Sequence, residues 1–298
     1  MDFLVGTDTG LFRLTETGGL EQLLDGPIRH VVAADEGAVA LRGDGSLWSI
    51  DDDGAAEFDE LSGVTPTCLL LDDEDVWLGT TGAHLLLLRG GELTTVEAFD
   101  AVADREKWYT PWGAPPDTRS MDIDDDGTLY VAVHVGGIVR SLDGGQSWAP
   151  TLDIDLDVHQ VVTVPEYAQT VVAACASGMA LTTDQGESWE VEADGLHASY
   201  SRAIAVAGDH VVLSVSDGPD GGRGALYQRL LESSIFTRCR EGLPDWFSGN
   251  IDTHCLAAWD EVVLAGAPDG TVYWSADSGQ RWRQIASGLP AIRAVAIP

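Results

Sequence analysis

Apolar residues along this chain come in short runs, and Gly, Asp, Ser or Pro cuts each one off. The runs hold about 4–8 positions rich in Val, Leu and aromatic residues, which reads as β-strand. No stretch carries an apolar face at the helical period, so the reading is all-β. A glycine opens a similar run at Gly10 (GLFRL), Gly45 (GSLWSI), Gly82 (GAHLLLL), Gly137 (GIVRS), Gly178 (GMALT), Gly224 (GALYQ) and Gly270 (GTVYWS). Over 298 residues these recur about every 43 positions, the period of a four-stranded propeller blade.

Each unit has the same internal order. A strand a (IRHVVAA, TRSMDID, SRAIAVAG) runs into an Asp- and Gly-rich turn and then strand b (DVWLGT, LYVAVH, TVVAACA). The glycine and strand c follow, then a second turn and strand d (SWEVEA, RWRQIA). The first unit begins at strand b with FLVGTD, and the last residues, AIRAVAIP, match strand a. The pattern predicts a seven-bladed β-propeller of four-stranded antiparallel blades. The C-terminal strand should complete blade 1 and so leave no open sheet edge. We expect one domain over 1–298, with blades at 2–26 plus 291–298, 27–61, 64–99, 117–155, 157–196, 199–243 and 249–290.

Three turns between strands c and d carry a sharper pattern: SLDGGQSW (Ser141 to Trp148), TTDQGESW (Thr182 to Trp189) and SADSGQRW (Ser275 to Trp282). The side chains of Ser141 and Asp143, Thr182 and Asp184, and Ser275 and Asp277 can bond turn amides. Gly145, Gly186 and Gly279 admit positive φ, while Trp148, Trp189 and Trp282 start strand d as packing wedges. Taken with EGLPDW, SGLPAI and DGLHAS, the motif resembles the Asp-box, or bacterial neuraminidase repeat. Propellers with that repeat include sortilin-like domains, xyloglucan-active glycosidases and the photosystem II assembly factor. The resemblance covers Ser141 to Pro298, while the first three blades depart from it (SIDDDGAAEF, LRGGELTTV). It implies a fold of the WD40/YVTN/BNR-like kind, which serves enzymes and non-enzymes alike. In a four-stranded blade the c–d turns share a face with the a–b turns. The motif residues are therefore expected to be structural, and a site is expected on the opposite face, among the b–c and d–a loops.

Charge changes the picture of the solvent. Asp and Glu number 49 against 16 Lys and Arg, a net charge of −33, with acid spread along the whole chain and Lys107 the only lysine. Such self-repulsion destabilises a compact state at low salt. It is relieved where the Debye length falls to ~3 Å at 1 M. We read a haloarchaeal-type composition, a halophilic cytoplasm and no nucleic-acid partner. No apolar run is long enough to cross a bilayer, and MDFLVGTD lacks a basic-then-apolar leader, so a cytoplasmic place and no membrane partner are expected. Cys68, Cys175, Cys239 and Cys255 stand singly, as reduced buried thiols would.

Aligning the strand-a starts brings Arg29, Thr67, Arg119, His159, Arg202, His254 and Arg293 to one repeat position. One reading is a cationic channel mouth whose planar guanidiniums take an anionic group. The other pairs those arginines with Asp8, Asp44, Asp217 and Asp269 and ties neighbouring blades together. The insertion DAVADREKWYTPWGAPPD (Asp100 to Asp117) adds Lys107, Trp108, Tyr109 and Trp112, and Trp246 extends the same face. Aromatics beside cations on a long loop suit a sugar or peptide. DIDDDG (Asp122 to Gly127) resembles the start of a calcium loop, but Val133 stands where the closing Glu belongs, so we read an acidic turn. No catalytic residue, metal or cofactor is assigned. The expected function is non-catalytic binding of an anionic small molecule, sugar, peptide or protein partner. The alternative is an intracellular glycoside hydrolase, sialidase-like or another Asp-box glycosidase. That reading would cast Tyr109 or Tyr200 and Asp8 or Asp269 beside the arginines.

Overall fold

The computed structural model describes every residue except 35, 52, 62 and 166, and describes Glu60 by its backbone alone. Each repeat is a four-stranded antiparallel sheet. Blade 1 joins β1 (Asp2–Thr7), β2 (Gly10–Thr15) and β3 (Leu20–Asp25) to the last strand of the chain, β28 (Ile292–Ala296). Blade 2 holds β4 (Ile28–Ala33), β5 (Ala38–Arg42), β6 (Ser46–Asp51) and β7 (Gly54–Glu60). Blade 3 holds β8 (Pro66–Asp72), β9 (Asp75–Thr80), β10 (Leu85–Arg89) and β11 (Glu92–Thr95). Blade 4 holds β12 (Thr118–Ile123), β13 (Leu129–Val133), β14 (Gly137–Ser141) and β15 (Ala149–Leu152). Blade 5 holds β16 (Val158–Thr163), β17 (Val171–Cys175), β18 (Gly178–Thr182) and β19 (Glu190–Glu192). Blade 6 holds β20 (Tyr200–Ala207), β21 (His210–Ser216), β22 (Ala225–Leu230) and β23 (Thr237–Arg238). Blade 7 holds β24 (Leu256–Trp259), β25 (Val262–Gly266), β26 (Val272–Ser275) and β27 (Arg283–Ala286).

The chain is a seven-bladed β-propeller, and β28 closes it by pairing with β1 through Leu4↔Ala296 and Val5↔Val295. Helix among the described residues is limited to single turns: α1 (Glu97–Asp100) and two 3-10 turns at Arg105–Lys107 and Ile154–Leu156. The chain divides into two compact units, a terminal one of Met1–Gly63 with Ala193–Pro298 and a middle one of Val64–Glu192.

The b strands are buried on both faces, and their two-residue period sends alternate side chains into separate cores. In the middle unit β13 gives Leu129, Val131 and Val133 to a core with Trp77, Leu85, Phe99 and Met121. Its Tyr130 and Ala132 join Ile138, Val158, Val161 and Val171 instead. In the terminal unit Phe3 and Val5 of β1 pack with Val263, Tyr273 and Val295, while Leu4 packs with Leu11, Ile28 and Val31. Each fully buried side chain of this size contributes about 1.5–3 kcal/mol. The outermost strands stay wet: all of β11 is exposed.

Two glycines show what the repeat demands. Gly137, which opens β14 at φ 73°, would put a Cβ 2.0 Å from the Leu152 carbonyl oxygen. Gly79 in β9 would put one 2.5 Å from the Thr118 side chain, so only a bare Cα lets β12 begin there.

Candidate functional site

The position shared by the strand-a starts is a β-bulge. Between β4 and β5 the pairing passes from Ile28↔Arg42 to His30↔Leu41 and skips Arg29. The same slip skips Thr67, Arg119, His159 and Arg293, and in blade 6 it skips Arg202 with Ala203. A bulge bends its strand and re-aims the extra side chain. Blade 7 differs: His254 precedes β24 at φ 67°, with its ring 3.6 Å from that of buried His30. Burial first, and then the His254 charge, hold His30 well below the usual imidazole range.

These cations are largely paired. Arg293 forks onto Asp8 at 2.6 and 3.0 Å, and Arg202 reaches both oxygens of Asp252 at 3.0 and 3.1 Å. Arg29 is exposed. Of the four acids expected to meet these arginines, Asp8 does. Asp217 instead binds Arg223 at 2.7 Å, while Asp44 takes the Ser46 hydroxyl at 2.7 Å and Asp269 the Thr271 amide at 3.1 Å. An acid two residues before a free amide is satisfied locally before it can reach another loop.

The insertion has a core of its own. Phe99 from α1, Val102 and Trp108 are buried, and Arg105 donates to the carbonyls of Ala83 and Gly82 at 2.7 and 3.1 Å. Its guanidinium lies 4.8 Å from the Trp108 ring. Trp108 therefore anchors the loop and is not available to a ligand, contrary to expectation. A long loop must bury something to be ordered, and this ring is what it buries. Lys107 pairs with Asp104 at 2.8 Å. Tyr109 and Trp112 stay exposed, Trp112 at 66 %.

Trp112 leans on a cluster in which sequence reasoning named His159 and Arg119 but missed His134 and Asp157. Its ring is 4.9 Å from that of His134, which follows β13 and is buried. The Nε2 of His134 is 3.4 Å from Oδ1 of Asp157, and the Nε2 of fully buried His159 is 3.5 Å from Oδ2. Burial opposes the charge on Asp157, yet the His159 hydrogen bond and the charges of His159, His134 and Arg119 outweigh it and hold the carboxyl low. Two strained residues flank the cluster, Asp157 at φ 47° and Val135 at φ 43°. Positive φ in a β-branched residue is costly and persists only where the surroundings impose it. Here the Val135 carbonyl accepts from Tyr109 at 3.4 Å. The signal available in the sequence was positional: His134 stands directly after strand b, beside the bulged Arg119.

The c–d turns consume their own chemistry. Asp143 takes the Ser147 amide at 2.8 Å and its hydroxyl at 2.6 Å, while the Ser141 hydroxyl takes the Gly145 amide at 2.8 Å. Asp184 repeats this with Ser188, and Asp277 repeats it with Arg281. Hydrogen bonds from Ser188 bring Asp184 down to about 2. Trp148 and Trp282 donate to the carbonyls of Gly145 and Gly279. In the DIDDDG turn, Asp124 accepts the amides of Asp126 and Thr128. Among the described residues no group of three or more His, Cys, Asp or Glu could hold a metal ion. The four cysteines are free and buried, and burial pushes Cys68, Cys175 and Cys239 up to about 12. A cleft of about 560 Å³ in the terminal unit is rimmed by Asp2, Glu36, Asp51 and Asp53, with Arg13 the one cation among the described lining residues, so it offers an anion little.

No family model matches the chain, and no curated protein matches it by sequence. Solved structures do match. The GH74 enzyme of Niastella koreensis superposes with a TM-score of 0.62 at 14 % identity over 95 % of this chain. This chain spans 46 % of that enzyme, and likewise 46 % of the GH74 xyloglucanase from Xanthomonas campestris. A candidate 6-phosphogluconolactonase from Bacteroides uniformis gives 0.66 at 15 % identity, covering 99 % of this chain and 98 % of that one. The RRP9 WD40 repeats give 0.63 at 14 % identity over 91 % of this chain and 83 % of theirs. Likeness at this identity shows the fold, which hydrolases and WD40 repeats share.

Proposed function

We propose that this chain is a non-catalytic binding propeller, and that its ligand is an anionic sugar or peptide taken at the Trp112, His134 and Asp157 cluster. The observation that carries the reading is the state of the loop carboxylates. Hydrogen bonds from Arg293 hold Asp8 low, those from Arg223 hold Asp217 low, and His159, His134 and Arg119 do the same for Asp157. A glycosidase needs a carboxylic acid raised enough to donate its proton. Asp122 is a raised carboxyl, at about 6, and it lies on the a–b hairpin of blade 4, away from the b–c and d–a loops of that blade. Trp112 meanwhile leaves much of its indole in water beside the polar His134–Asp157 pair, which suits recognition. We also read the three [ST]xDxGxxW turns as Asp-boxes and the charge as that of a protein from a halophilic cytoplasm.

Thermal-shift screening in molar KCl against anionic sugars, nucleotides and acidic peptides tests the proposal. A ligand that raises the melting temperature of wild type should fail to do so for Trp112→Ala. Turnover of a fluorogenic glycoside that vanishes in Asp157→Asn would restore the hydrolase reading instead.

A further inference from the structure

Four arginines of the terminal unit find acids: Arg42 with Asp44, Arg202 with Asp252, Arg223 with Asp217 and Arg293 with Asp8. Arg238 is held differently, against an aromatic ring. Among the described residues it makes no ion pair, its Nε is buried without a hydrogen-bond partner, and its guanidinium lies 3.8 Å from the Trp246 ring. On a chain with 49 acids to 16 bases, a cation with no acid beside it calls for a physical reason.

The neighbours supply one. The β22–β23 register sets Arg238 opposite Tyr227, whose hydroxyl is 2.9 Å from Nδ1 of His197. The His197 ring stacks on Tyr227 and lies 5.0 Å from Trp246. Its Nε2 is buried and has no hydrogen-bond partner. The acid facing it, Asp217, is 3.9 Å away, and Arg223 already engages both carboxylate oxygens at 2.7 to 3.0 Å. The Arg223 guanidinium is in turn 5.5 Å from Trp246. Two guanidiniums and an imidazole thus surround a partly exposed indole, and two of their buried nitrogens, Arg238 Nε and His197 Nε2, have no hydrogen-bond partner. An unmet buried donor is costly, and a charged oxygen acceptor relieves it best.

We propose that His197, Arg238 and Trp246, supported by Arg223, bind the carboxylate of a small organic acid. The apolar flank of Trp246 and Tyr227 suits an acid with an aromatic or aliphatic body. Nothing in this assignment rests on the Trp112 cluster, so either can fail alone.

The test is imidazole NMR of the full chain in molar KCl, titrated with potassium benzoate against matched additions of KCl. The His197 Cε1–H signal should shift saturably with benzoate. The His197 pKa, which burial and the charges of Arg223 and Arg238 hold low, should rise as the anion offsets those charges. Arg238→Gln should abolish both responses, and Arg89→Gln, at a pair with Asp75, should keep them. If Arg238→Gln does not fold, Trp246→Phe serves instead and should weaken the response several-fold. No saturable shift in wild type, an equal shift with KCl alone, or an unchanged response in the variant that folds would each overturn the assignment.

Discussion

Asp122 and Asp184 are chemically the same residue held in opposite ways. Asp184 sits in water, and the donors of its turn keep it ionised down to about 2. Asp122 accepts from the Thr163 amide at 2.7 Å and the Thr163 hydroxyl at 3.0 Å, but burial of its carboxyl outweighs both and raises it to about 6. Its folded pKa stands above the unfolded value of ~3.9, so the folded state holds the proton more tightly. That contribution to stability is full below the unfolded pKa and is lost as pH rises through about 6. Asp122→Asn removes the titration but keeps an acceptor for Thr163. Urea midpoints should then show wild type gaining about 1 kcal/mol on the variant between about pH 8 and about pH 5. Parallel pH profiles for the two proteins would refute this.

The strand is the scale at which the sequence was most legible. Opening glycines, acidic turns and the period of two are local, so the seven blades and the closing role of β28 could be read from them. The bulges were visible only as a recurrence of Arg and His at one repeat position, since a skipped residue leaves no mark on the apolar pattern. Trp108 and Trp112 show the limit. Both belong to one Pro- and Trp-containing insertion, and no local rule separates the ring that Arg105 and Phe99 bury from the ring left in water. His134 and Asp157 escaped for the same reason, because strands from two successive blades bring them together. The two tryptophans should therefore part company in urea denaturation. Trp108→Ala is expected to cost about 3–5 kcal/mol through its cavity. Trp112→Ala should stay within about 0.5 kcal/mol, as exposed positions do. Equal losses would mean that Trp112 also carries the loop.

At the scale of the whole chain two electrostatic effects oppose each other under salt. The described ion pairs, such as Arg293–Asp8, Arg202–Asp252 and Arg89–Asp75, gain little each in water and lose that little as ions screen them. The excess of 33 negative charges acts over longer range, and its repulsion is what screening removes. At 0.1 M the Debye length is ~10 Å, long enough for unpaired acids on neighbouring turns to repel, while at 1 M it is ~3 Å, the reach of a contact pair. Short-range pairs thus survive salt better than long-range repulsion does, and the repulsion is the larger quantity on a chain with three acids to each base. The melting temperature should therefore rise steadily as KCl goes from tenth-molar to molar at neutral pH. It should rise less near pH 5, where the approach to a pI of about 4.1 has already discharged part of the excess. A melting temperature that falls with KCl would show that the paired arginines, and not the surplus acid, dominate the stability of this protein.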